Sequence, residues 1–199
     1  MRDKDEDLPR SDATRARLLS AATSEFAKKG FHGTTTRDIA AAAGMSSAAL
    51  YVHHKSKEEL LYLISRGGHQ NTLNLLREAT TSSPDPVEAL RNVVHTFVLD
   101  HANVHTLARV VNYELAALSD EHLAEIRDIR RQIEREVRGL LERGVDEGVF
   151  TTADPHLTTV ALLSMGIDLA RWFHEGSPWS AEEIATHYAV LALRLVEAR

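Results

Sequence analysis

The sequence predicts an all-α protein of two unequal helical parts, and three observations lead there. Apolar residues recur at spacings of three and four, as in Leu18, Leu19, Ala22 and Phe26 or Ile126, Ile129, Ile133 and Val137, which is the period of one helix face. A hydroxyl stands three residues before an acid at Thr35, Ser56 and Ser180, an arrangement that caps a helix start. No segment carries the apolar and polar alternation of a half-buried strand. The chain has 199 residues, 43% of them hydrophobic, enough to bury a sizeable core in one large or two small domains.

Met1 to Arg10 is polar, of mixed charge and closed by Pro9, and is expected to be a disordered leader. Its four acids against three bases do not suit an arm for a DNA minor groove. Ser11 or Asp12 then caps a first helix that Gly30 closes, with Phe31 just beyond. Thr35 and Asp38 open a short second helix through Ile39 and the alanines to Ala43, and Gly44 ends it in a left-handed turn. Ser46 starts a third helix almost at once, with Leu50 as its buried side. Two short helices joined by three or four residues suit a steep crossing, the helix-turn-helix arrangement. The third helix is small at its front, with Ser46, Ser47, Ala48 and Ala49, and could enter a major groove about 12 Å wide. From Asp12 to Lys57 there are seven Lys or Arg against three acids, a balance of +4 in a chain whose net charge is −6. Positive charge is therefore concentrated where phosphates would lie.

The run from Phe26 and Gly30 through Thr35, Thr36, Ile39, Ala40, Gly44, Ser46, Leu50, Tyr51, His53, Lys55 and Lys57 resembles the DNA-binding domain of the TetR (tetracycline-repressor) family. Two positions depart from the family pattern: Ala48, where Gly is frequent, and His54, where Phe is frequent. The resemblance implies a leader over 1–10, a DNA-binding domain over 11–57, and a ligand-binding and dimerisation domain over 58–199. The candidate DNA-contacting residues are Thr35, Thr36, Arg37, Ser46, Ser47, Ala48, Ala49, Tyr51, His53 and Lys57. Of these, Arg37, Ser47, Ala48, Ala49 and Tyr51 would face bases or the groove wall, and Thr36, Tyr51, His53 and Lys57 would hold phosphates.

Behind the head, Ser56 and Glu59 are expected to form a capping box opening a fourth helix to about Ala79. Gly67 and Gly68 lie in its middle, where each costs about 1 kcal/mol relative to Ala. They suit close packing against a crossing helix, or a hinge, since in the resembled family this helix carries ligand-driven motion to the head. Thr80 to Asp85 is the clearest linker, and Pro86 suits the first turn of the next helix. Val87 to Val98 and Leu107 to Leu118 mark two further helices with a break near Asn103, and Leu123 to Val145 a long amphipathic one that Gly148 ends. Asp154 and Pro155 open a helix from about His156 to Glu175 that is apolar nearly all round and needs cover on several sides; Ser180 and Glu183 open the last. In the resembled family the last two helices pair with their two-fold mates, which implies a homodimer on a near-palindromic DNA operator.

The expected ligand pocket is lined by Phe97, His101, Val110, Tyr113, Ile167, Asp168, Arg171 and Trp172, residues on or beside the buried faces. The ending Arg171, Trp172, Phe173, Gly176, Ser180, Glu182, Glu183 and Tyr188 is similar to family members that sense acyl-CoA thioesters or related lipid metabolites. An acyl-CoA or lipid-like effector is the implied partner. No cofactor is expected. His101 and His105 have a spacing that could suit a metal, but no His-Glu-x-x-His motif accompanies them, and no metal is expected. No Gly-rich phosphate loop or nucleophile elbow appears, and there is no Cys, so an enzyme is not expected. The rival reading is a helical ligand-binding or metal-dependent protein with a vestigial head. No apolar run reaches about 18 residues and no signal-peptide core is present. A cytoplasmic protein without a membrane span is the expectation.

Overall fold

The computed structural model describes residues 10–199, and among these it contains nine α-helices, one 3-10 turn and no strand. The leader expectation lies outside the described residues except at Arg10, which opens α1 (Arg10–Gly33). That helix begins ahead of the cap expected at Ser11 or Asp12. It breaks where expected, at Gly30, whose φ of 70° leaves the helical region. Phe31 then folds back on Phe26, with ring centroids 5.5 Å apart. The Thr35–Asp38 box opens α2 (Thr36–Ala42), with each side chain bonded to the other residue's backbone N–H. Gly44 (φ 67°) turns the chain, and the Ser46 hydroxyl accepts the Ala49 N–H to start α3 (Ser47–His53). Leu18, Ala22, Phe26, Ile39, Ala40 and Leu50 are buried together as the head's core.

The Ser56 hydroxyl caps α4 (Lys57–Thr80) by accepting the Glu59 N–H. The expected box is only half made, because the Glu59 carboxylate takes the Lys55 N–H instead of returning to Ser56. α4 is unbroken through Gly67 and Gly68. Pro86 occupies the first turn of α5 (Pro86–Asn103), capped by Asp85. α5 is the central post of the larger part, packing on α4, α7 (Asp120–Asp146), α8 (Pro155–Trp172) and most extensively α9 (Ala181–Leu195). α6 (His105–Tyr113) is short and touches α1, α4 and α8.

Two boundaries differ from expectation. α6 ends at Tyr113; Leu115–Ala117 form a 3-10 turn and Leu118 is extended, so the apolar period there was not one continuous helix. α8 ends at Trp172, three residues before Glu175, because Phe173 adopts an extended conformation. Ser180 and Glu183 form the complete box expected at α9. α4 and α7 are tied along their outer edge: Glu58 accepts from Ser119 N–H and His122, Tyr62 and Arg66 donate to Glu125, and Arg77 to Glu136. No helix of the described residues is long and apolar enough to cross a membrane.

Candidate nucleic-acid interface and internal cavity

α3 offers an exposed face made of Ala48, Tyr51 and Val52, three and four residues apart. Tyr51 is 54% and Val52 80% exposed, and no packing requirement explains a valine so open to water. An apolar tip on such a helix suits a thymine methyl. Val52 was not among the expected DNA contacts, although Leu50 alone was expected to be buried on this helix. Arg37 and Ser46 are also exposed, and Ser47, Ala49 and His53 are half-buried beside them. The Thr36 and Tyr51 hydroxyls lie 3.2 Å apart, joining the start of α2 to the middle of α3 and fixing the tyrosine's direction.

Several expected contacts have structural duties as well. The Thr35 side chain is spent on the α2 cap, where its hydroxyl and N–H hold the Asp38 carboxyl down at about pKa 2, with Lys29 assisting. Lys57 donates its ammonium to the Phe31 and Thr34 carbonyls at 2.8 Å each and lies 4.3 Å over the Phe31 ring. It closes the end of α1 onto α4, which leaves one N–H for a phosphate. His54, the departure from the family pattern, is buried at 4% exposure, and its Nε2 has no hydrogen-bond partner. Burial pushes its pKa down, so the ring sits neutral under α3.

The larger part holds a half-open cavity of about 480 Å³ among α4 to α8, with Arg127, Arg131, Val160 and Ser164 exposed in its lining. Phe97, Val104, Leu107, Val111, Ile133, Val160, Leu163 and Ile167 give it apolar walls. Its polar groups come chiefly from α4 and α7: His69, Arg127, Arg130, Arg131 and Glu134, with Asp100, His101 and Asn112 between. The His69 Nδ1–H donates to Ser65 O at 2.8 Å, so its Nε2 is the acceptor and receives Arg130 Nη1 at 3.2 Å. The same Nη1 donates to Asn112 Oδ1 at 3.2 Å. Burial, aided by the Arg130 charge, holds the pKa of His69 and of His101 down to about 4. Asp100 is raised by burial alone.

Of the expected pocket residues, Phe97, His101 and Ile167 line this cavity. Val110, Tyr113, Asp168, Arg171 and Trp172 do not. α8 turns Val160, Leu163, Ser164 and Ile167 inward, three and four residues apart, which carries Asp168 round to the outer side. There Asp168 pairs with Arg171 at 3.3 Å and meets the Tyr113 hydroxyl. Val110 is buried in the core beside a separate shallow cleft against α1, which Tyr113 and Arg171 also border. Trp172 is 39% exposed at the end of α8. The arginines of α7 were missed because they read as the solvated face of an amphipathic helix; only the fold turns Arg130 inward. His101 and His105 bond the Phe97 and Ala102 carbonyls. Among the described residues no cluster of three or more His, Cys, Asp or Glu is placed to hold a metal.

The cavity is joined to the head by two elements. Gly68 of α4 lies against Val111 of α6, so close that a Cβ there would fall 2.7 Å from Val Cγ2, while Gly67 borders open space. The close-packing explanation therefore fits Gly68 and not Gly67. From the far end of α6, Glu114 accepts the Phe31 N–H at 3.2 Å and Arg109 donates to Ala27 O. Both bonds land on the end of α1.

A capped helix-turn-helix with an exposed reading face, joined to a helical body with an internal cavity, defines a class of DNA-binding transcriptional regulator. The chain belongs to the TetR family: residues 18–62 match the model for bacterial regulatory proteins of the tetR family, and residues 83–196 the tetracyclin repressor-like C-terminal domain. It is 30% identical over 186 residues to the HTH-type transcriptional repressor KstR2 of Mycobacterium tuberculosis, covering 92% of each chain. The solved structure described as the ketosteroid transcriptional regulator KstR2 of that organism superposes with a TM-score of 0.83 at 28% identity, covering 90% of this chain and 93% of the other. A tetR-family regulatory protein from Rhodococcus gives 0.89 at 40% identity, over 94% and 98%. PfmR from Thermus thermophilus, a TetR family transcriptional regulator, gives 0.84 at 35%, over 89% and 97%.

Proposed function

We propose that the protein is a ligand-responsive repressor that binds a near-palindromic operator as a homodimer and releases it when a small apolar or acyl-type effector fills the cavity. The observation that carries this reading is the position of the cavity. It is walled by α4 and α6, and these are the two helices that hold the head, through Lys57 on one side and Arg109 and Glu114 on the other. An effector that favours a different spacing of α4 and α6 thereby shifts the population of head positions, provided it binds that state better.

On the DNA side, Arg37, Ser47, Ala48, Ala49 and Tyr51 face the groove, Thr36 and His53 hold phosphates with Lys57 adding its remaining N–H, and Thr35 and Ser46 set the helix starts. The homodimer forms through α8 and α9, where Leu157 and Leu195 leave apolar surface open, with Trp172 and Trp179 also exposed. Two heads about 34 to 36 Å apart then read successive turns of one DNA face. The relative KstR2 is a named repressor and ketosteroid regulator, which supports the sign of the response and favours a lipid-like effector, acyl-CoA thioesters included.

Fluorescence anisotropy with the DNA flanking the protein's own gene tests this. Sequence-preferring binding that weakens steeply with salt is expected. Binding equal on all sequences, or insensitive to filling the cavity by Leu163→Trp and to every ligand that occupies it, sinks the reading.

A further inference from the structure

We infer that the occupant of the cavity is an apolar monocarboxylate, held by the Nε and Nη2 edge of the Arg130 guanidinium. This rests on the proposed reading of the cavity as the effector site and specifies the chemistry of that site. Arg130 spends Nη1 twice, on His69 Nε2 and Asn112 Oδ1. Asn112 is in turn fixed by donating to Ala108 O at 2.9 Å, and His69 by its bond to Ser65 O. The guanidinium is thus held rigidly by neutral groups. Its other edge has no protein partner among the described residues, and Arg130 forms no ion pair there. Two parallel N–H groups are the fork that matches a carboxylate.

The remaining charges of the cavity leave this station cationic. Glu134 lies 3.2 Å from His156 and forms no ion pair with Arg130, and Arg131 is paired with Asp128 at 2.9 Å. Asp100 lies on α5, and the Arg130 charge bears on His69 and His101 but not on it. Burial of an unpaired guanidinium among apolar walls is unfavourable until an anion joins it. The walls contributed by Val111, Ile133, Leu163 and Ile167 accept the rest of the ligand. Straight-chain and fused-ring acids share this chemistry. A thioester differs: its carbonyl carries no charge, and its phosphates would seek Arg127 and Arg131, which are exposed.

Calorimetric titration of the full-length protein with decanoate and with cholanate, each against its methyl ester and with decanoyl-CoA alongside, tests the inference. At least one acid is expected to bind about tenfold or more tightly than its ester. Arg130→Met should erase that ratio and Arg130→Lys should retain part of it, with circular dichroism checking each fold. Arg135→Met, exposed on the same helix but outside the cavity lining, should leave it unchanged. Acid and ester binding equally to the wild type, a ratio that survives in Arg130→Met, failure of both acids to bind, or binding by decanoyl-CoA alone each overturns the carboxylate anchor while leaving the effector reading standing. An acid that binds with the expected preference yet leaves operator affinity unchanged overturns the effector reading and keeps the anchor.

Discussion

The head and the body solve different problems with different materials. In the head, α2 and α3 are seven residues each, too short to be stable alone, and side-chain caps plus one small apolar core hold them. Most of its polar groups stand at the surface, apart from the buried Glu25, Thr34 and His54, and its reading face is exposed. In the body, helices of up to 27 residues gather polar groups around a half-open apolar cavity, where His69 and His101 are kept neutral and a guanidinium is left half-paired. A surface that reads DNA has to be presented, whereas a site that selects a small molecule has to be recessed. The two parts should therefore respond to opposite challenges.

Acid should separate them most strongly. His69 and His101 have folded pKa values of about 4 against an ordinary 6.5, so between those values the unfolded chain binds more protons than the folded one. Their contribution is fully present above about pH 6.5, falls as pH drops through the window, and is gone near 4; each shift is worth about 3 kcal/mol. Asp38 in the head has the opposite chemistry. Its pKa is lowered to about 2, so its contribution persists until pH falls below about 4 and is lost towards 2. Both tryptophans, Trp172 and Trp179, lie in the body. Denaturant midpoints followed by their fluorescence should fall between pH 6.5 and 4.5; a flat profile breaks the contrast.

Next in size is the close approach of α5 and α8. A Cβ on Gly166 would lie 2.5 Å from the Phe97 ring, so Gly166→Ala should destabilise by about 1 to 2 kcal/mol even after the gain in helix propensity. Because Phe97 also lines the cavity, ligand affinity should fall with it. Gly67→Ala meets open space and should instead stabilise by up to about 1 kcal/mol. If Gly67→Ala also leaves the DNA response to ligand unchanged, α4 has no hinge at that point.

The same contrast decides what was legible in the sequence. The caps at Thr35, Ser46 and Ser180, the turn at Gly44 and the first-turn Pro86 were readable, because each acts within four residues of itself. The family resemblance rested on those same local signals. The cavity was not, because it depends on which turn of α8 faces α5 and on α7 being rotated to bring Arg130 inside. Asp168 and Ile167 are neighbours in sequence, yet only Ile167 lines the cavity. Glu59 was misjudged on a smaller scale, since the competing Lys55 N–H is equally near and equally local.

Two substitutions test whether the head is held by its caps. Thr35→Ala removes the hydroxyl's bonds to the Asp38 N–H and carboxylate while the backbone N–H keeps its own, and should cost about 1 kcal/mol of stability, with operator affinity falling because α2 frays. Lys57→Met should act in the same way. Two carbonyls lose their donor, so thermal stability should drop more than the salt dependence of DNA binding flattens. A salt slope reduced by about one, with stability unchanged, makes Lys57 a plain phosphate contact instead.

The smallest expected effect has the opposite sign. His54 is the one buried ring of the head that carries a polar atom without a partner among the described residues. An unsatisfied buried polar atom costs about 1 to 3 kcal/mol, and a ring of similar shape without it avoids that cost. His54→Phe, the residue frequent at this position in the family, should therefore raise the stability of the head by about 1 kcal/mol. Because the burial of His54 depresses its pKa, the variant should gain most at mildly acidic pH, where the wild-type head begins to favour the protonated unfolded chain. Hydrogen exchange of the α3 amides between pH 7 and 5 measures this directly. Protection that rises in His54→Phe and loses its pH dependence ties the departure to the core beneath α3; unchanged protection places the orphaned Nε2 in contact with water, and the head then shares no buried polar strain with the body.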